Sequence, residues 1–183
     1  MAEKSQVIFE RNTVEFVTVA AEYCSFIERS EGMECKPFAD TLLKLLPLLY
    51  IKVSMLPECH RLLEEDELEH FVTEDDYEVV RLTLADVLAG HDDYLDVFVA
   101  EMKYSDVPIR KNISEDLADI YQDLKNFICL FQTGINQTMN DALVECREHF
   151  EQYWGQTLVN TMRALHETRY NALAADEEEE NDV

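Results

Sequence analysis

Three aspartates in the stretch SEDLADIYQDLKNFICLF, residues 114–131, have the spacing most suited to chemistry in this chain. Asp116, Asp119 and Asp123 stand at i, i+3 and i+7 of a predicted helix. Carboxylates so placed can bind a hard divalent cation such as Mg²⁺, provided that another element adds oxygen ligands. The helical projection puts Asp116 and Asp123 at the border of the apolar stripe and turns Asp119 towards water.

The next predicted helix offers Glu145, Glu148 and Glu151 as such ligands. Paired acidic helices of this kind hold Mg²⁺ in all-α nucleotide pyrophosphohydrolases. However, Glu148 lies almost opposite the apolar stripe of its helix, so these acids are expected to face solvent. Acids at such spacings also arise by chance in a very acidic chain, and a solvated acidic face is the favoured interpretation.

Two weaker metal patterns involve histidine. Glu67 and His70 form a single Glu-x-x-His, whereas ferritin-like di-iron bundles need that motif on two helices. Cys59 and His60 are adjacent but have no distant partner pair, which a zinc site requires. We interpret all four as ordinary surface residues, and no cofactor is predicted.

The last predicted helix carries Arg163 and His166 at i, i+3, on one side. They could clamp an acidic group or bind one of the aspartates, and the favoured interpretation is that Arg163 pairs with an acid across the bundle. Trp154 and Tyr153 are predicted to belong to the core. The candidate ligand or partner site combines five of these residues: Asp116, Asp123, Trp154, Arg163 and His166.

Common catalytic loops are missing from the sequence. It contains no Gly-x-Ser-x-Gly elbow, and its four scattered glycines cannot form a phosphate-binding loop.

The elements that must position these residues are predicted to be helical. Ser114 is expected to cap the helix of residues 114–131, and Asn12 with Glu15 to cap the first helix, which runs to Gly32. Residues 7–9 either extend that first helix or form a separate turn. A second helix, residues 37–56, is expected to be central, buried and kinked at Pro47.

Capping residues and helix-breaking residues predict the remaining elements and connections. Residues 58–76 are predicted to be a loop with room for one short helix, and Thr73 with Asp76 to cap a third helix that ends at Gly90. A short helix is expected at 92–102 and a surface connection at 105–112. The last helix is either continuous through Gly155 or mildly bent there. The fold class is all-α: one antiparallel bundle of about five or six helices, with little room for a sheet.

Composition limits the partners and the compartment. The formal net charge of −24 disfavours direct binding to nucleic acid or to anionic membranes, and it suits basic protein partners or mimicry of nucleic acid. Five cysteines without a Cys-x-x-Cys motif fit reduced thiols. No signal peptide or membrane span is visible, so a cytoplasmic protein is expected. One domain is predicted over residues 1–174, followed by a disordered acidic tail over 175–183.

Several strings resemble an uncharacterised bacterial family, domain of unknown function 5063. They are DLADIYQDLKNF (116–127), YWG (153–155) and RALH (163–166), and EFVTVAAEYC (15–24) is similar to members from the Bacteroides group. The resemblance spans residues 13–173 and implies an all-helical bacterial protein. It brings no activity, cofactor or catalytic residue.

The sequence therefore favours a non-enzymatic, cytoplasmic protein-interaction module whose acidic surface suits a basic protein partner, with no prediction of oligomeric state. The alternative is a Mg²⁺-dependent hydrolase of a phosphorylated small molecule that uses Asp116, Asp119 and Asp123. A weaker alternative is an acidic mimic of nucleic acid.

Overall fold

Apolar residues at helical spacing produce helices along most of the chain. The computed structural model describes residues 7–63, 68–96 and 107–173. The elements in chain order are α1 (Arg11–Glu28), α2 (Cys35–Ser54), α3 (Glu74–Leu88), β1 (Asp93–Leu95), β2 (Arg110–Asn112), α4 (Ile113–Gln132), α5 (Asn136–His149) and α6 (Gly155–Glu167). Short 3₁₀ turns lie at Val7–Phe9 and Ala89–His91, so residues 7–9 form a separate turn.

Helix α4 is the centre of the bundle. It packs against α1, α3, α5 and α6, and buries apolar residues around most of its circumference. Polar contacts show that α3 and the last helix both run antiparallel to it. Phe71, just before α3, meets Asn126 and Tyr77 of α3 meets Asp119. In the last helix, His149 meets Asp123 and the later Thr161 meets Asp116. The antiparallel all-helical bundle is thus confirmed.

Helix α2 packs against α1 on one side and α6 on the other. It buries Phe38, Leu42, Leu46 and Leu49 completely and continues through Pro47. It runs antiparallel to the last helix, since Asp40 pairs with Arg169 and Tyr50 contacts Phe150. Its outward side stays exposed, so the central position belongs to α4.

The first two predicted caps are wrong. Asn12 lies inside α1, which begins at Arg11, and its amide donates to the Met55 carbonyl oxygen at 3.1 Å. Ser114 also lies inside its helix. Both its N–H and its hydroxyl donate to the Asp92 carboxylate, each at 2.7 Å. A carboxylate distant in sequence therefore accepts a hydrogen bond from a free backbone N–H group in the first turn of α4. The predicted Thr73–Asp76 capping box of α3 is confirmed.

Strands β1 and β2 form a small antiparallel hairpin in which Tyr94 pairs with Lys111. The predicted short helix at 92–102 is wrong at Asp93–Leu95, and the surface connection contains Arg110–Asn112 as a strand. The remainder of that predicted helix, and the acidic tail, lie outside the described residues. By pairing with each other just before α4, the two strands satisfy backbone N–H and C=O groups.

The loop before α3 contains no helix within residues 58–63 and 68–73. Two side chains from the bundle hold it. Asp141 accepts the backbone N–H groups of Leu62 and Leu63, each at 2.8 Å. Asn126 accepts those of Phe71 and Val72 at 2.7 and 2.9 Å.

The last helix is continuous through Gly155 by way of a π-helical segment, Phe150–Trp154. A second π segment, Thr168–Ala172, follows α6. The close neighbour of Gly155 is Phe150 in the same helix. A Cβ at residue 155 would lie 2.6 Å from the Phe150 carbonyl oxygen and 2.7 Å from its ring. Glycine is thus required by the π turn.

Candidate functional site

The three aspartates of α4 do not share one site. Each accepts a hydrogen bond from a tyrosine on a different element: Tyr94 on β1 to Asp116, Tyr77 on α3 to Asp119, and Tyr153 in the π segment to Asp123. Burial raises the pKa of all three tyrosines, and their aspartate partners raise it further. The tyrosines therefore stay protonated and act as donors.

Asp116 is the most buried of the three, at 4% exposure. Its Oδ2 lies 2.5 Å from Tyr94 Oη and 3.2 Å from Thr161 Oγ1. The Thr161 hydroxyl also donates to the Thr157 carbonyl oxygen at 2.8 Å. Burial raises the pKa of Asp116 to about 6, while the hydrogen bond from Tyr94 lowers it in part. At neutral pH, above this pKa, the Asp116 carboxylate is mostly ionised and accepts from the Thr161 hydroxyl; once protonated at lower pH it can donate to Thr161 Oγ1 instead.

Asp119 does not point into water, contrary to the prediction. Helix α3 covers this side of α4, and Tyr77 Oη lies 2.8 Å from Asp119 Oδ1. Burial raises the pKa of Asp119 above its ordinary value. A projection of α4 alone could not show this, because the position of α3 is a tertiary property.

Asp123 connects α4 to the end of α5. Its Oδ1 lies 2.8 Å from His149 Nδ1, and its Oδ2 accepts a hydrogen bond from Tyr153. The cavity beside it, which Asn126 and His70 also line, has a volume of only about 20 Å³. Asp123 is thus engaged by two side chains at a place with no room for a substrate.

The acids Glu145 and Glu148 of α5, and Glu151 of the π segment, form salt bridges with arginines. Arg61 Nη2 lies 3.3 Å from Glu145 and 3.4 Å from Glu148, and Arg147 Nε lies 3.0 Å from Glu151. In the described parts of the chain, no group of three or more His, Cys, Asp or Glu side chains is arranged to hold a metal ion. The acids proposed for Mg²⁺ lie in separate places.

His70 and the Cys59–His60 pair lie in different surroundings. Glu67 lies outside the described residues, and His70 Nδ1 lies 3.4 Å from the Asn126 amide. Cys59 and His60 line a cavity of about 310 Å³ together with Arg147 and Glu148. Burial raises the pKa of the Cys59 thiol, which disfavours the thiolate that a metal would need.

Trp154 lies in the core at 0% exposure, as predicted. Its indole Nε1 donates to the Cys146 carbonyl oxygen at 3.2 Å, and its ring meets the Phe150 ring edge-on at 4.7 Å. Tyr153, in contrast, is 44% exposed. Trp154 is therefore part of the core and cannot contact a partner.

The favoured interpretation was that Arg163 pairs with an acid across the bundle, but among the described residues it forms no salt bridge. Its Nη2 donates to the Leu95 carbonyl oxygen at 2.7 Å, and its guanidinium carbon lies 5.9 Å from the centre of the Tyr94 ring. The hairpin thus lies between Arg163 and Asp116. The His166 ring lies 4.7 Å from the Tyr170 ring.

Arg163 and His166 instead line an open groove of about 490 Å³ between α2 and α6. This α2–α6 groove is formed by Leu43, Pro47, Tyr50, Ile51, Val159, Met162, Arg163 and His166. Six of these eight side chains are apolar or aromatic. Of the five predicted site residues, the structure brings only these two to a common cavity.

Sequence reasoning missed several polar residues that organise the bundle. Tyr94, Asp92 and Asp141 each serve a partner at least 20 positions away. No local spacing marks such contacts. One available signal was the position of Asp92 two residues after the Gly90 break, where capping side chains are common.

The chain is similar to a protein of known structure over nearly its whole length. That protein, BF1032 from Bacteroides fragilis, is 56% identical, and the alignment covers 91% of this chain and 97% of the other with a TM-score of 0.80. No curated protein matches the chain. Residues 7–171 match the family described as domain of unknown function 5063 (DUF5063). The chain belongs to this family.

Proposed function

We propose that this DUF5063 member is a non-enzymatic protein-interaction module that binds a protein partner in the α2–α6 groove. The observation that carries the proposal is the row of exposed apolar side chains along the groove. Tyr50 is 40% exposed, Ile51 52% and Val159 45%. Concave, mostly apolar surfaces with a few polar groups at the edge are typical binding sites.

The charge of the groove differs from that of the whole chain. Asp40 is the only acid within α2 and Glu167 the only acid within α6, although the chain has 39 acidic residues. Asp40 pairs with Arg169, and Glu167 accepts a hydrogen bond from Asn171 at 2.6 Å. The contact surface of the partner is therefore apolar rather than basic.

Arg163 supplies the polar edge of the groove. Its bond to the Leu95 carbonyl oxygen and its position over the Tyr94 ring hold the guanidinium in one orientation. Arginine held in this way loses little freedom on binding and is common among the residues that dominate interface energies. His166 adds a second polar group at the same edge.

The state of the cysteines fits a reducing compartment. All five cysteines are free, and burial raises the pKa of Cys24 to about 12 and that of Cys146 well above its ordinary value. Unpaired thiols of this kind are usual for cytoplasmic proteins. We therefore place the interaction in the cytoplasm.

The test is photo-crosslinking in living cells. A benzophenone amino acid is placed at Ile51 in the groove, with Val79 on α3 as the matched control, since Val79 is apolar and 65% exposed. We expect a discrete crosslinked protein from position 51 that position 79 does not give. The crosslink should disappear when Val159→Glu is introduced as well.

The proposal is wrong if positions 51 and 79 give the same products, or if Val159→Glu leaves the product from position 51 unchanged. Circular dichroism of the purified Val159→Glu protein verifies that the bundle remains folded. Since Val159 is 45% exposed, the substitution should leave the helical content unchanged.

A further inference from the structure

We infer that the protein bound in the α2–α6 groove is a second copy of this chain, related to the first by a two-fold axis. This inference rests on the proposed function and identifies the partner. It is argued from the shape of the exposed apolar surface and from the distribution of charge.

The exposed side of α2 forms a ridge beside the groove. Leu48, Ile51 and Met55 stand at i, i+3 and i+7, and are 40%, 52% and 47% exposed. Residues at this spacing lie on one side of a helix. A contiguous exposed apolar row of this kind is typical of a protein interaction surface.

The ridge lies beside the groove, and Ile51 belongs to both. In a two-fold dimer, the same patch on each copy contacts its counterpart, so the ridge of each copy can enter the groove of the other. Packing of helix ridges into grooves is the ordinary way in which helices associate. The patch thus presents both the ridge and the groove that such a dimer uses.

The charge distribution selects the same face. Two copies with a net charge of −24 each repel one another at long range, so association requires a face with few acids. Helix α2 carries Lys36, Lys44 and Lys52 against the single acid Asp40. In contrast, α3 has five acids among its 15 residues and would suit a basic partner better: Glu74, Asp75, Asp76, Glu78 and Asp86.

The inference gives a specific salt dependence. Added salt screens repulsion between the acidic bodies, with a Debye length of about 8 Å at physiological ionic strength. The dimer should therefore become tighter as salt rises. A complex with a basic or an acidic partner held by opposite charges would become weaker.

Sedimentation velocity on the purified full chain tests this, from about 1 to about 100 µM protein, a range that brackets micromolar affinity. Runs at about 50 and about 500 mM NaCl compare the two regimes of screening. We expect a reversible dimer whose dissociation constant falls at the higher salt. Ile51→Glu should raise that constant by at least about tenfold, since a two-fold interface receives the new charge twice. Val79→Glu should leave it unchanged.

The inference is overturned if the wild-type chain stays monomeric at both salt concentrations, if Ile51→Glu dimerises as well as wild type, or if Val79→Glu weakens the dimer equally. Its failure differs from failure of the proposed function. A monomer in solution that still gives a discrete crosslink from Ile51 to another protein would retain the groove as a binding site and reject the second copy.

Discussion

Tyr94 of the hairpin donates a hydrogen bond to Asp116 of the central helix, with 2.5 Å between Oη and Oδ2. The same Tyr94 ring lies beside the Arg163 guanidinium. The hairpin is therefore attached to α4 through the hydroxyl of Tyr94 and to α6 through its ring. Four predictions concern this contact and the others that hold the bundle together.

Relative to wild type, the Asp116→Asn variant should be more stable at high pH than at low pH. Burial raises the pKa of Asp116 to about 6, so the folded state binds a proton more tightly than the unfolded chain. The stability due to this proton is complete below about pH 4 and is lost as pH rises through about 6. The free energy of unfolding of the variant, relative to wild type, should rise by about 2 kcal/mol between pH 4.5 and 7.5.

Urea unfolding at the two pH values measures that difference. Asp75→Asn, on the exposed first turn of α3, is the matched control and should show a much smaller change. An Asp116→Asn variant whose relative stability does not depend on pH would contradict the raised pKa of Asp116.

Gly155→Ala should destabilise the protein although alanine is the better helix former. The added Cβ would lie 2.6 Å from the Phe150 carbonyl oxygen, inside van der Waals contact. We expect a loss of about 1–3 kcal/mol, typical of overpacking. Thermal unfolding measures it. Gly90→Ala is the control, because a Cβ there meets nothing within 4 Å, and equal effects at both positions would refute the requirement for glycine.

Asp141→Ala should release the loop of residues 58–63. The Asp141 carboxylate accepts two consecutive backbone N–H groups, and bonds to a charged group contribute about 1.5–3 kcal/mol each. Limited proteolysis should therefore cut this loop faster than in wild type. The control Glu148→Ala removes a weaker and more exposed contact of the same loop, the carboxylate 3.4 Å from Arg61, and cleavage should stay close to the wild-type rate.

Asp92→Ala should weaken the start of α4 by about 1–2 kcal/mol, as removal of a helix cap usually does. Because the Ser114 hydroxyl donates to Asp92, the two residues should be coupled. Ser114→Ala should then cost less in the Asp92→Ala background than in wild type, by at least about 0.5 kcal/mol. Additive effects in a double-mutant cycle would mean that Ser114 does not depend on Asp92.

The sequence was sufficient for the features that depend on local periodicity. The apolar stripe of α4, the capping box at Thr73 and the burial of Trp154 all follow from spacing along one helix. The contacts of Asp119 and Arg163 were predicted wrongly, because each depends on which element covers that side of its helix. The hairpin was also missed, since three-residue strands are too short for an alternating pattern.

The residues of the predicted site lie apart because different elements cover them. A single-helix projection assigned Asp116 and Asp123 to one border, yet the hairpin covers the first and the end of α5 covers the second. The groove could not be predicted, since the leucine-rich α2 reads as apolar on every side. Only packing against α6 shows which of its side chains stay in water.

The π segment Phe150–Trp154 decides which residues of the last helix face α2. A π turn contains one residue more than the α-helical turn it replaces, so the helix beyond it keeps the orientation of an α-helix that is one residue shorter. If the same residues formed an uninterrupted α-helix, everything beyond the turn would be rotated by about 100° relative to α5. Val159, Met162 and Arg163 would then leave α2, although no residue of the groove had changed. The groove therefore depends on the extra residue of a turn that contributes no side chain to it.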